Sequence, residues 1–404
     1  MNHSPGSARA HNVHYYVECH TRLLLITVGR LSTSLFADVV LTLNVLGIID
    51  AAILWFYGIV VLVLTAKNWQ NPAKTKRNNF SESLCGFFFI VFGFYMVFLF
   101  NGEHLSDESQ SNLYGLILIA FAVILIWAYG NMSYTWWRVR KDPNLLAEDA
   151  PITRHYPNFL AQMDARYQYN GKRGDFIKDL SRKLLHLVML AVIIGSQVIA
   201  FSMVSTLQSI GFTPIAFRDF LYVIVAFFFI FMFTTADLFR LNKFQYLPDW
   251  AIKWFLKSLE PTREKYTFIS SVPFLLTIML FIWAPVQVIF SVAIIACVAD
   301  AAASVVGKSL GRHKMTNFGI YPEKSFEGLI AGAACSFLGV IITFYFYPMS
   351  IVTGLLLLVL GAIAVVSFIY VDAFAKNIVD NVLNVLVPGI SMLISLWIFT
   401  FIPV

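Results

Sequence analysis

The chain has 404 residues, 58% of them hydrophobic and only 13% charged, with a mean hydropathy of +0.72. These proportions exclude a soluble globular domain and a disordered chain. The net charge of +6 sits in loops between apolar runs, which argues against a nucleic-acid partner and for a membrane topology with basic loops inside.

In chain order the sequence reads as an all-α, polytopic transmembrane bundle of about ten spans, each an apolar run near the ~20 residues a helix needs to cross a bilayer. Ahead of them, Leu23 to Gly29 is a short apolar stretch broken by Arg30, with no small-residue cleavage site, so the first span is expected to serve as its own targeting signal. His3, His11, His14 and His20 follow no metal-ligand spacing and read as a tail. The first span, near 43–66, lies in a run that starts at Leu35 and carries Asp38 and Asp50. Two more follow near 84–101 and 112–132, then a polar stretch from Met132 to Lys183. Seven further spans are expected near 184–206, 219–238, 267–283, 286–307, 327–347, 350–371 and 378–402. The chain thus divides into an N-terminal membrane region (1–132), a cytoplasmic connecting segment (133–180) and a seven-span catalytic domain (181–404). Cys19, Cys85, Cys297 and Cys335 are scattered, with neither metal nor disulfide spacing.

Charge fixes the sidedness. Lys67, Lys74, Lys76 and Arg77 follow the first span, whereas Glu103, Asp107 and Glu108 occupy the next loop. The third loop is again basic, as are the loops holding Arg240 to Lys265 and Lys308 to Lys324. Basic loops alternate with poor ones, so the former face the cytoplasm. Four polar clusters then fall on that leaflet: Arg182-Lys183 with His186, Asp300, Lys324-Ser325 with Glu327, and Asp380-Asn381. Asp300 precedes Gly307 by seven residues, a helix length of ~10 Å.

Each cluster has a chemistry. Asp300 lies among alanines, and an intramembrane acid is a functional candidate by default, as a magnesium ligand or a base near phosphate. Gly307-Lys308-Ser309 lacks the upstream glycine and strand of a P-loop. Gly307 and Gly311 beside Lys308 and Arg312 instead suit a backbone that approaches phosphate oxygens. Lys324 can neutralise phosphates, Ser325 can cap the next helix, and Glu327 in its first turn can ligate magnesium. Arg182 and His186 are four apart on one helix face and suit either a phosphate clamp or an interfacial anchor. Asp380, Asn381 and Asn384 precede Pro388, which frees carbonyls where a cavity is lined. Asp237 with Arg240 reads as a pair at a span end, and Glu260 to Lys265 as a solvated charged loop.

These elements resemble the CTP-dependent lipid-alcohol kinases, the family of dolichol kinase, phytol kinase and the yeast-type diacylglycerol kinase. The family's Arg-Lys-x-x-His falls on Arg182, Lys183 and His186, and its Asp-x-x-Ala with Gly and Gly-Arg on Asp300, Ala303, Gly307, Gly311 and Arg312. Its Lys-Ser/Thr-x-Glu-Gly falls on Lys324, Ser325, Glu327 and Gly328, and its late Asp-Asn with downstream Pro on Asp380, Asn381 and Pro388. The resemblance covers roughly residues 178–395 and leaves out the first three spans. Phe268 to Ser271 stand where the family carries Thr/Ser-Gly-Ala, and Asp372 stands in for a glutamate ahead of the Asp-Asn.

The resemblance implies transfer of the γ-phosphate of CTP, or of another nucleoside triphosphate such as ATP, to an isoprenoid alcohol or diacylglycerol. On that basis Asp300, Lys324, Glu327 and Asp380 are the expected catalytic residues, with Mg2+ on Asp300, Glu327 and Asp380. Arg182, Lys183, His186, Gly307, Gly311, Arg312, Ser325 and Asn381 would bind nucleotide and phosphate. The alternatives are CDP-lipid synthesis of the phosphatidate cytidylyltransferase kind, whose C-terminal signature is absent here, and a secondary transporter, whose buried acids belong near the midplane. The sidedness is directly testable. Single cysteines introduced at Asn71 and Lys314 should react with an impermeant maleimide from the cytoplasmic side, and one at Ser350 only from the opposite side.

Overall fold

Within a bilayer core, no water is present to take up backbone hydrogen bonds, so the apolar runs must become helices. The computed structural model describes residues 44–101, 105–147, 150–260, 264–316, 318–375 and 380–401, without side chains at 166–182, 184–185 and 400–401. Among these residues there is no strand, only an isolated bridge between Lys314 and Ser325. In chain order the helices are α1 (Val45–Lys67), α2 (Lys76–Val97), α3 (Asp107–Lys141), α4 (Tyr156–Ser202), α5 (Val204–Ser209) and α6 (Pro214–Asn242). They continue as α7 (Asp249–Ser258), α8 (Ser271–Met279), α9 (Val286–Ser309), α10 (Phe326–Phe346), α11 (Gly354–Phe374) and α12 (Asp380–Phe401). Many starts are set by a side-chain cap: Asn44, Thr75, Ser106, Thr213, Ser325 and Thr353 each accept an amide of the first turn.

Eight of these helices (α1, α2, α3, α6, α9, α10, α11 and α12) are long and apolar enough to cross a membrane, making this a multi-pass membrane protein. The other two expected spans differ. Residues His186–Ser202 are the apolar end of α4, a 47-residue helix that begins in the polar stretch. The region 267–283 is regular helix only over the nine-residue α8, ~14 Å long, and continues as turns to Ala284, so no single helix of span length forms there. Val272 to Met279 are all buried, because a helix that is apolar all round has to be enclosed by its neighbours.

Much of the expected connecting segment is helical too, since α3 runs on to Lys141 and α4 starts at Tyr156. Between them, buried Arg154 donates to the carbonyls of Gln245 (3.0 Å) and Leu247 (2.9 Å) and pairs with Asp249. Burial pulls the pKa of that guanidinium down, while Asp249 pulls it back up. Residues 249–258, within a stretch read from sequence as loop, form α7. It buries Ala251, Ile252 and Phe255 and exposes Lys253 and Lys257, the pattern of an interfacial helix.

One apolar cluster runs from Ala51 to Leu396, across the sequence boundary at residue 180. Tyr57 of α1 packs on Phe231 of α6 with ring centroids 4.8 Å apart, and its hydroxyl lies 2.9 Å from that of Thr235. Phe92 of α2 meets Phe227 of α6 at 4.9 Å. The N-terminal helices are therefore built into the same core as the rest. Asp50 is fully buried in α1, and its carboxylate has no hydrogen-bond partner among the described residues.

One close helix approach lies where α9 ends and α10 begins. A Cβ added to Gly328 would lie 2.6 Å from the Ala303 carbonyl and 3.0 Å from the Gly307 Cα. Small residues are what allow membrane helices to come this near. Gly328→Ala should therefore destabilise the detergent-purified protein by ~1–3 kcal/mol, seen as a lower unfolding midpoint. Gly130→Ala, with nothing within 4 Å of the added carbon, should not lower it.

Candidate functional site

The site begins with an irregularity. Ile295–Ala299 form a π turn inside α9, and Asp300 is the next residue. Such turns shift the phase of the side chains that follow and recur at functional sites. Asp300 is 7% exposed, and its carboxylate pairs with the ammonium of Lys183 on α4. One turn on, buried His186 stacks on Phe274 of α8 with ring centroids 4.6 Å apart, and its carbonyl accepts the Cys297 thiol at 3.1 Å.

A second ion pair lies on the same cavity. Lys324, in the loop before α10, donates to the Asp372 carboxylate at 2.6 Å and to the Asp372 carbonyl at 2.7 Å, at the end of α11. Next to it, Ser325 caps α10 by accepting the Gly328 amide at 3.2 Å. Asp380 opens α12 and lies 3.8 Å from the guanidinium of Arg77 at the start of α2. Between these helix ends lies a cavity of about 1090 Å³. The expected site residues Lys183, His186, Asp300, Gly307, Gly311, Lys324, Ser325, Asp380 and Asn381 all line it.

Others are placed differently. Glu327 and Arg312 are not among the lining residues. The Glu327 carboxylate accepts the backbone amides of Arg312 (3.1 Å) and His313 (3.0 Å) and lies 2.7 Å from the His313 imidazole. It fastens the turn after α9, because an acid in a helix's first turn reaches loop amides as readily as a ligand. The expected carboxylate trio thus reduces, at the cavity, to Asp300 and Asp380. Among the described residues no three His, Cys, Asp or Glu side chains gather as a metal site. Gly307, Gly311 and Gly328 line the cavity but also serve the α9–α10 approach, a packing role beside the one expected from their flexibility. The side chain of Arg182 lies outside the described residues.

Two walls were not legible as such in the sequence. Thr75, Arg77, Asn78 and Ser81 of the α2 start form one. Their only sequence signal is the basic loop, which topology alone explains. The second is the strip 264–270, whose Glu264 is buried rather than solvated, accepting the amides of Glu260 (2.9 Å) and Ser270 (2.8 Å). Arg240 holds this strip in place. It pairs with Asp237 at 2.7 Å and donates to the carbonyls of Glu264 (3.2 Å), Lys265 (3.1 Å) and Thr267 (2.5 Å). Asp237 in turn accepts the Ile269 amide at 2.8 Å. What reads in sequence as a pair at a span end is a fully buried clamp on the cavity wall.

Compared with protein-family models, with curated proteins and with solved structures, the chain matches none.

Breaking a buried pair by removing one partner leaves an uncompensated charge, so Arg240→Ala should cost about 3–5 kcal/mol. Thermal unfolding in detergent should show a larger drop for Arg240→Ala than for Asp237→Asn, because Arg240 also serves three carbonyls.

Proposed function

We propose that this protein is an integral-membrane lipid-alcohol kinase, transferring the γ-phosphate of a nucleoside triphosphate, CTP by the motif resemblance, to the hydroxyl of an isoprenoid alcohol or diacylglycerol at the cytoplasmic face. One observation carries the reading: Lys183, Asp300, Lys324, Asp372 and Asp380, from five separate stretches of chain, line a single cavity at the ends of apolar helices. Phosphoryl transfer asks little covalent chemistry of a protein and depends on positioning and charge neutralisation. A cavity with lysines and aspartates on facing walls supplies both.

In this reading Lys183 and Lys324 exchange part of their contact with Asp300 and Asp372 for phosphate oxygens. The acceptor alcohol enters sideways between apolar helices and brings its hydroxyl beside Asp300. The hydroxyl oxygen attacks the γ-phosphorus, the bond from that phosphorus to the β–γ bridging oxygen breaks, and the hydroxyl proton passes to the Asp300 carboxylate. Lys324 neutralises the charge that remains on the departing diphosphate. The products are the phosphorylated lipid and the nucleoside diphosphate. The acidic lining suits magnesium, which is commonly held by one or two carboxylates together with phosphate oxygens and water. Asp380 would be a protein ligand, joined by Asp300 in the alternative in which Asp300 does not take the proton, and the metal's charge would offset that of the triphosphate. Glu327, committed to the loop amides, is not part of this set.

The test is purified protein with CTP or ATP labelled at the γ-phosphate and a panel of lipid alcohols. Label should enter the lipid phase. Label entering from the α-phosphate instead would mean cytidylyl transfer, and none from either would remove the kinase reading. Asp300→Asn should fall about 100-fold or more in turnover, as expected for loss of a general base, with the cost of freeing Lys183 read separately as a lower unfolding midpoint.

A further inference from the structure

The first three spans carry none of the motifs, yet one of their helices opens onto the cavity. From this we infer that Arg77 at the start of α2 is a phosphate-binding residue, and that the N-terminal helices complete the site. The inference rests on the reading of the cavity as a phosphate-handling site and adds a ligand contact outside the motif-bearing half.

The first observation concerns how its charge is committed. Lys324 is held by Asp372 at 2.6 Å and Lys183 is in direct contact with Asp300, whereas Arg77 stands 3.8 Å from Asp380, beyond hydrogen-bond reach. Among the described residues this is its one ionic contact. The guanidinium offers five donors in a planar fork that matches phosphate oxygens two at a time. Giving up so loose a pair costs less than separating either lysine from its acid. Of the three cavity cations paired with an acid here, Arg77 is the most readily handed to an incoming anion.

The second observation concerns the helix that carries it. Arg77 is the second residue of α2, where backbone amides point outward and the helix dipole favours negative charge. Thr75 and Asn78 flank it on the cavity wall. One turn deeper, Ser81 is also a lining residue, 4% exposed, and its hydroxyl has no hydrogen-bond partner among the described residues. A buried hydroxyl without a partner costs free energy unless something supplies one. An arginine fork, a helix start and an uncommitted hydroxyl four residues apart on one helix face make a recognisable phosphate seat.

The chemistry recognised is a phosphate group, either on the nucleoside triphosphate or on a phosphorylated lipid. The experiment measures binding rather than turnover, on the full chain in nanodiscs of neutral lipid. Labelled CTP with magnesium is one arm, and phosphatidic acid added to the disc is the other. Arg77→Gln should weaken binding about tenfold in at least one arm, the loss of a charge-assisted contact, and should flatten its dependence on salt. Loss in the first arm assigns Arg77 to the nucleotide, and loss confined to the second assigns it to the lipid phosphate. Arg77→Lys, which keeps the charge without the fork, should lose part of the affinity, and it decides the question should Arg77→Gln fail to purify as a single species. Unchanged affinity and salt dependence in both arms, with Lys324→Ala weakened in the same assay, would overturn the inference. Wild-type protein that binds CTP yet phosphorylates no alcohol would remove the kinase reading and leave Arg77 standing. Wild-type protein that binds neither ligand would remove both.

Discussion

A charged carboxylate inside a membrane protein is costly without a cation, and at this cavity the cations come from other stretches of the chain. Asp300 of α9 takes Lys183 of α4, Asp372 of α11 takes Lys324 of the loop before α10, and Asp380 of α12 faces Arg77 of α2. Isolated charge in such surroundings is costly, so each pairing ties two distant stretches together. The same pairings draw six helix ends and loops to one end of the bundle and leave a charged cavity between them.

Around that constraint the packing makes sense. The α9–α10 approach at Gly328 sets two walls close together, while the buried Asp237–Arg240 clamp sets a third by holding the carbonyls of 264–267. The short α8 would be unstable in lipid, and it survives because it is enclosed on every side. Its placement brings Phe274 under His186, behind the Lys183–Asp300 pair. On the proposed function, a site that exchanges ion pairs for ligand contacts gains from a rigid frame, since the reorganisation is then confined to the side chains that bind.

Much of the fold was legible because membrane helices declare themselves locally. An apolar run near the bilayer length forms a helix whatever its neighbours do, and α1, α9 and α12 lie close to where the runs predict. The misses are elements whose state depends on their neighbours. The run at 267–283 is apolar enough for a span, but its regular helix ends at Met279 and the run continues as turns, a break that nothing local announces. Within the site, residue types were readable and their partners were not. Lys324 and Asp372 are 48 residues apart, and no spacing rule links them. Glu327 has the same sequence signature whether its carboxylate turns to the cavity or to the amides of Arg312 and His313. Arg77 was hidden by a sufficient explanation, since a basic residue after a first span already satisfies the topology rule.

On the proposed function, the cavity holds a nucleoside triphosphate with its terminal phosphate among Asp300, Lys183 and Lys324. An experimental structure with a non-hydrolysable CTP analogue and magnesium tests it most directly. The account predicts the triphosphate in this cavity, with the γ-phosphate in hydrogen-bond contact with at least one of the two lysines. A triphosphate bound elsewhere, or a cavity filled by acyl chain under saturating nucleotide, would contradict it.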